Sequence, residues 1–287
     1  MGLLSAAALA ASPSFANAQL MDLVYERTAM TAADERCGLF APEISAALAA
    51  ARAQARSAAL RAGADPKALS ARERQAQSTG WSSNCRSHEL ATAAERVRSA
   101  FAGYARIQRI DYPGEIAGWR ADRTGVGEIR WRLAQQVGFG DDRMTFGLAG
   151  RNMLGVVLAV AEFADGRTPY GARLLLRDRA RSAGPYFDDL SGSSQGLALE
   201  RRLPPRNALL AVAAEARSKA GADLLPKHRR VGWAFRFPPE AARELALLDP
   251  REAVAVEFLF PGDEVRRAYV EVGDFAAGQA FLTLPRR

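Results

Sequence analysis

Histidine and lysine are scarce in this chain of 287 residues: there are two histidines, His88 and His228, and three lysines, Lys67, Lys219 and Lys227. Two imidazoles leave little material for the side chain that most often moves protons in acid–base catalysis. Cysteine is limited to Cys37 and Cys85. With His88, three residues beyond Cys85, they make three potential zinc ligands, whereas a structural zinc takes four, normally in two close-spaced pairs. Covalent haem is excluded, because no Cys-x-x-Cys-His occurs. Phosphate-cradling glycine loops, dinucleotide fingerprints and zinc-protease motifs are absent as well. The acidic pairs Asp141–Asp142 and Asp188–Asp189 lack the oxygen-rich loop of a calcium site and read as turns. No metal and no cofactor is expected. Long apolar runs are also missing, so no transmembrane segment is expected; a spanning helix needs about 20 such residues.

The start of the chain lacks charge altogether, since the first ionisable side chain is Asp22. Leu3 to Ala11 has the length of a secretory h-region, Ser12-Pro13-Ser14 breaks it, and Ala16-Asn17-Ala18 supplies the small-x-small pattern of a cleavage site. Residues 1–18 are therefore expected to be a signal peptide cut after Ala18, and the mature protein to be exported, most simply to a bacterial periplasm. The competing reading of the same residues is an alanine-rich first helix. An even cysteine count suits one disulfide, Cys37–Cys85, in an oxidising compartment.

Net charge is +7, which raises the question of nucleic acid. The excess is spread out. Residues 19–123 hold 15 basic and 12 acidic side chains and residues 124–287 hold 24 and 20, so no stripe collects phosphate contacts. Nucleic acid is not an expected partner.

What is present divides in two. Residues 19–123 read as a helical domain. Helices are expected from Leu20 towards Arg36, from Pro42 to Gly63 with Ile44, Leu48, Ala51, Ala55 and Ala59 near helical spacing, and from Asp65–Pro66 to Gly80. A fourth is opened by Ser87 and carries Leu90, Ala94, Val97, Phe101, Tyr104 and Gln108 on one face. Both cysteines fall at helix boundaries, where a bridge pins two helix ends. Residues 124–287 change to period two: Trp233, Phe235 and Phe237 alternate, as do Val254, Val256, Phe258 and Phe260, and Val270 and Val272 flank Glu271. Further strands are expected over 128–135, 143–148, 155–163, 172–179 and, ambiguously with helix, 208–215. One short helix follows Pro238–Pro239 and ends before Pro250. The fold class is thus α+β: a disulfide-tied helical domain, then an antiparallel β-sandwich-like domain with one inserted helix.

The closing stretch, from Tyr269-Val-Glu-Val-Gly-Asp-Phe275 to Gln279-Ala-Phe-Leu282, resembles the end of the invasion-associated locus B family. Those are small exported bacterial β-proteins. The resemblance implies a last strand leading into a short helix with Gly and Phe, and it assigns no functional residue here.

Two features carry candidate chemistry. Gly192-Ser193-Ser194-Gln195-Gly196 matches the Gly-x-Ser-x-Gly nucleophile pattern, followed in order by Asp223 and His228. That motif needs a strand before and a helix after. Its loop-like, β-rich surroundings favour a Ser/Gly connection over a hydrolase. Arg173, Arg177, Arg179 and Arg181 share a parity, so a strand there would face all four one way. Guanidinium groups bind phosphate and carboxylate bidentately, which suits an anionic envelope component; a solvated, ion-paired strand face is the plainer reading. The expectation is a non-catalytic binding or interaction protein of the envelope, with an envelope protein or anionic component as partner. The alternatives are a serine hydrolase using Ser194 and a structural subunit of an envelope assembly.

Overall fold

A computed structural model describes residues 13–182, 184–188, 194, 196–225 and 231–284. Four helices come first: α1 (Pro13–Cys37), α2 (Pro42–Arg61), α3 (Pro66–Ser82) and α4 (His88–Phe101). Their boundaries follow local chemistry. Pro42 and Pro66 start α2 and α3 where the missing N–H costs nothing. The Asp65 carboxylate accepts from the Ala68 N–H at 2.6 Å and the Ser87 hydroxyl oxygen from the Leu90 N–H at 3.2 Å, each closing a first turn. Gly63 ends α2 at φ +87°, a conformation that side chains oppose. Small residues set how closely α1 and α3 cross. A Cβ on Gly80 would lie 2.3 Å from the Ala29 oxygen and 2.7 Å from the Ala32 Cβ.

Cys37, closing α1, and Cys85, just before α4, form a disulfide with Cα atoms 5.6 Å apart, within the expected range of about 4.4–6.8 Å. α1 begins at Pro13 rather than Leu20, so the expected cut after Ala18 falls in its first turns, while residues 1–12 lie outside those described. The first side chain seen to be buried is Val24. Among the described residues no helix is long and apolar enough to cross a membrane.

Strand structure begins earlier than the sequence suggests. β1 (Arg109–Tyr112) and β2 (Trp119–Asp122) lie inside the stretch read as helical, and α4 stops at Phe101 instead of continuing to Gln108. Four-residue strands are too short to show period two, and Phe101, Tyr104 and Ile107 kept a helical spacing while following a bent path against the core. Then come β3 (Arg130–Phe139), β4 (Asp142–Gly150), β5 (Val156–Glu162), β6 (Gly171–Arg177), β7 (Leu209–Ala213), β8 (Ala216–Lys219), β9 (Trp233–Arg236), α5 (Glu240–Ala246), β10 (Ala253–Leu259), β11 (Val265–Glu271) and α6 (Phe275–Leu282). The ambiguous 208–215 segment is a strand. The strand expected over 172–179 ends at Arg177, because Asp178 opens a turn that receives the N–H groups of Arg181 and Ser182. β8 is fully exposed and carries no apolar alternation that could have announced it.

Among the described residues all pairings are antiparallel and form two sheets, of order β1-β2-β3-β4-β5-β9-β8 and β11-β10-β6-β7. Alternate side chains of both meet in one core that includes Phe146, Leu148, Phe235, Val256, Phe258 and Val270. α6 follows the last strand as the terminal resemblance implies, and buries Phe275, Ala277, Phe281 and Leu282 in that core. The helical region shares it: Ala47 of α2 sits in the same cluster, and Arg61 pairs with buried Asp274 at 2.8 Å.

Candidate binding groove between two sheet edges

A concavity of about 1000 Å³ runs between β3 of the first sheet and β11 of the second. Its existence follows from incomplete pairing. β2 pairs with β3 at Arg120↔Ala134 and Ala121↔Leu133, so among the described residues β3 beyond Ala134 has a strand on its β4 side alone. Among the described residues β11 is the edge of its sheet and pairs with β10 alone. The two edges face each other and are bridged at one end by a single side chain, Gln135.

Gln135 is 1% exposed and shares the inward parity of Leu133. Its Oε1 accepts from the Glu271 N–H at 2.9 Å, while its Nε2 donates to the Glu271 carbonyl at 3.1 Å and the Ala117 carbonyl at 3.1 Å. The Glu271 side chain turns the other way, under the loop between β1 and β2. There it is fully buried and accepts three backbone N–H groups, from Glu115 at 2.8 Å, Ile116 at 2.7 Å and Ala117 at 2.8 Å. A carboxylate with three amide donors is a strong local anchor. Gly114 lets the loop come this close, since a Cβ there would meet the Ala117 oxygen at 2.0 Å.

A second anchor holds the neighbouring wall. Buried Arg202, in the turn Leu199–Arg202, donates to Glu115 at 2.9 Å, and the Ser194 hydroxyl donates to the same carboxylate oxygen at 3.2 Å. Leu199 and Glu200 are thereby set along the groove together with Ile116 and Ala117. The far end is closed by charge. Arg266 donates to Asp142 at 3.1 Å, to Asp165 and to Glu264 at 2.9 Å. Asp165 is held at about 2, below the usual carboxylate range, first by the Arg266 hydrogen bond and then by the Arg167 N–H. On the outer face of the second sheet Glu257 lies between Arg173 and Arg267. Burial pushes its carboxyl up, but the two guanidinium groups outweigh this and hold it below the ordinary value.

The sequence-nominated residues are not gathered at one site. Arg173 and Arg177 share a face of β6, but Arg177 is buried and bonded bidentately to Glu252 at 2.8 and 2.9 Å, and Arg173 pairs with Glu257. Burial pushes the Glu252 carboxyl up against the opposing pull of Arg177. Arg179 and Arg181 lie past the strand end, where Arg181 pairs with Asp178 at 3.1 Å. Ser194 is 3% exposed; Asp223 is exposed in the turn Ala222–Leu224, and His228 lies outside the described residues. Among the described residues no group of three His, Cys, Asp or Glu side chains is placed to hold a metal. Gln135 and Glu271 were not nominated. The signal for Glu271 was present, a carboxylate between two core valines, but alternation assigns it to solvent and cannot show the loop that covers it.

Comparison with family models, characterised proteins and solved structures finds no match to this chain. The likeness to the invasion-associated locus B family rests on residues 269–282 alone.

Proposed function

We propose that this chain is an exported protein of the bacterial envelope that binds a partner and does not transform it. One observation carries the reading: the concavity is built from two strand edges left without neighbours among the described residues, walled by loops that the buried Glu271 carboxylate and the buried Arg202 guanidinium hold in place. A site of this kind offers backbone donors and acceptors to a ligand and has fixed walls. The signal-like opening of the chain and the Cys37–Cys85 bridge support export. The engagement of the Ser194 hydroxyl by Glu115, itself tied to Arg202, favours binding over the hydrolase alternative.

The test starts with compartment. Expressed with its leader in a Gram-negative host, the protein should be recovered from the periplasmic fraction as a species beginning at Gln19, read by intact mass with both cysteines oxidised. Protein that stays in the cytoplasm, or that keeps residues 1–18 in the periplasm, defeats the export half. Immobilised mature protein should then retain a discrete envelope component from a detergent extract. Retention of nothing above a blank column defeats the binding half.

A further inference from the structure

We infer that the groove is the seat of one extended, cationic peptide segment of a partner protein, inserted as a strand between β3 and β11. The inference rests on the binding reading above and specifies its ligand.

Strand parity shows which groups are waiting. Just past β11 the Val272 N–H bonds to the carbonyl of Glu252, which precedes β10, and at the hairpin the Phe260 N–H bonds to the Glu264 carbonyl. Even-numbered residues of β11 therefore turn their backbone to β10, and Val265, Arg267, Tyr269 and Glu271 turn theirs outward. On β3 the two-residue turn at Gly140–Asp141 makes Phe139↔Asp142 the closing pair, so odd residues bond to β4. Gln136 and Gly138 face the groove. Among the described residues these outward groups have no strand partner. At Glu271 alone the position is filled, by the Gln135 carboxamide, which is a peptide group in all but connectivity. It accepts from the N–H and donates to the C=O, as an added strand would. Gln135 thus supplies one unit of a strand whose remaining units are missing along Tyr269, Arg267 and Gly138.

Charge selects the occupant. Four acidic side chains line the groove, Asp141, Asp142, Asp165 and Glu200, against two basic ones, Arg266 and Arg267. Both arginines are already engaged, by Asp142, Asp165, Glu264 and Glu257. Asp141 and Glu200 are exposed and have no partner among the described residues. A segment with alternating side chains would set apolar residues inward over Val137 and Phe139 and basic residues outward towards those two acids. Because β3 and β11 run in opposite directions along the groove, the inserted strand is antiparallel to one and parallel to the other.

The probe is a fluorescein-labelled peptide of about seven residues alternating valine and lysine, titrated into the mature protein and followed by anisotropy. Saturable binding is expected, weakened about tenfold or more when the peptide's alternate backbone nitrogens are N-methylated. The variant Gly138→Pro removes one groove-facing N–H without touching the β4 ladder, and should weaken binding similarly. The pair Asp141→Lys with Glu200→Lys should transfer preference to a valine–glutamate peptide. Equal binding of the N-methylated peptide, or no saturable binding, overturns the inference; the methylated arm decides the matter even if Gly138→Pro fails to fold. A dimer that Gly138→Pro disrupts, seen by sedimentation in the absence of peptide binding, assigns the seat to a second copy and overturns it too. Capture of an envelope component equally by wild type and Gly138→Pro removes the strand seat but leaves the binding reading standing. Capture by neither, with no peptide binding, removes both.

Discussion

Asp165 and Arg266 show how much of this protein's charge is committed within single contacts. The Arg266 guanidinium serves three carboxylates at once, and Asp165 is depressed to about 2 as a result. A carboxylate whose folded value lies below its unfolded one favours the folded state fully above the unfolded range, near pH 4, and loses that contribution as pH falls through about 2. A carbon-detected NMR titration should place the Asp165 midpoint near 2, and Arg266→Met should return it towards about 3.9. An unmoved midpoint in the variant would mean that Arg266 is not the cause. Asp274 and Glu252 shift the other way, chiefly through burial, so they favour the folded state in acid and offset part of that loss. Little of this was legible beforehand. Asp141–Asp142 was readable as a turn, yet nothing local marks Arg266 as the partner of Asp142, since the two stand 124 positions apart.

Among the elements, the loop between β1 and β2 depends most on one residue. Glu271→Gln keeps the shape and one acceptor but removes the charge that three N–H groups share. It should cost about 1–3 kcal/mol in urea unfolding. Amide exchange should accelerate at Glu115, Ile116 and Ala117 while the centre of β10 stays protected; unchanged protection at those three amides would show that the loop stands without the carboxylate. β10 was legible because its large apolar side chains, Val254, Val256 and Phe258, recur at every second residue, although the whole run from Ala253 to Phe258 is buried. β1 and β2 were not, because four residues give alternation no room, and Pro113–Gly114 reads equally well as the end of a helix. The groove was invisible for a related reason. Periodicity tells which face of a strand is buried and says nothing about which of its edges is paired.

Across the whole molecule the order of helices before strands was legible, whereas their union was not. Ala47 looks like one more alanine of a thin helical stripe, and only the fold puts it in the sheet core with α6. The bridge closes a separation of 48 residues, worth roughly 4 kcal/mol in the chain-entropy model. By sequence, its loss should weaken the helices and spare the strands. With the core continuous and Arg61 tied to Asp274, Cys37→Ser with Cys85→Ser should instead lower the stability of everything together, by about 2–4 kcal/mol. Far-ultraviolet dichroism of the helices and fluorescence dominated by buried tryptophan such as Trp119 should report one coincident transition. Two separated midpoints would restore independent domains.

The placement of the open edges has a bearing on self-association. An unpaired strand edge invites any other extended chain to stack on it, and proteins blunt such edges by keeping them short or charged. Here β1 and β8 are four residues each and carry Arg109, Asp111, Arg217 and Lys219, and β7 is only five residues long. The longer free edges, β11 and the second half of β3, are turned towards each other across the groove. Another molecule can pair with them only by laying a single strand into the space between, so the arrangement that opens a place for one segment also denies a flat docking edge to a second sheet.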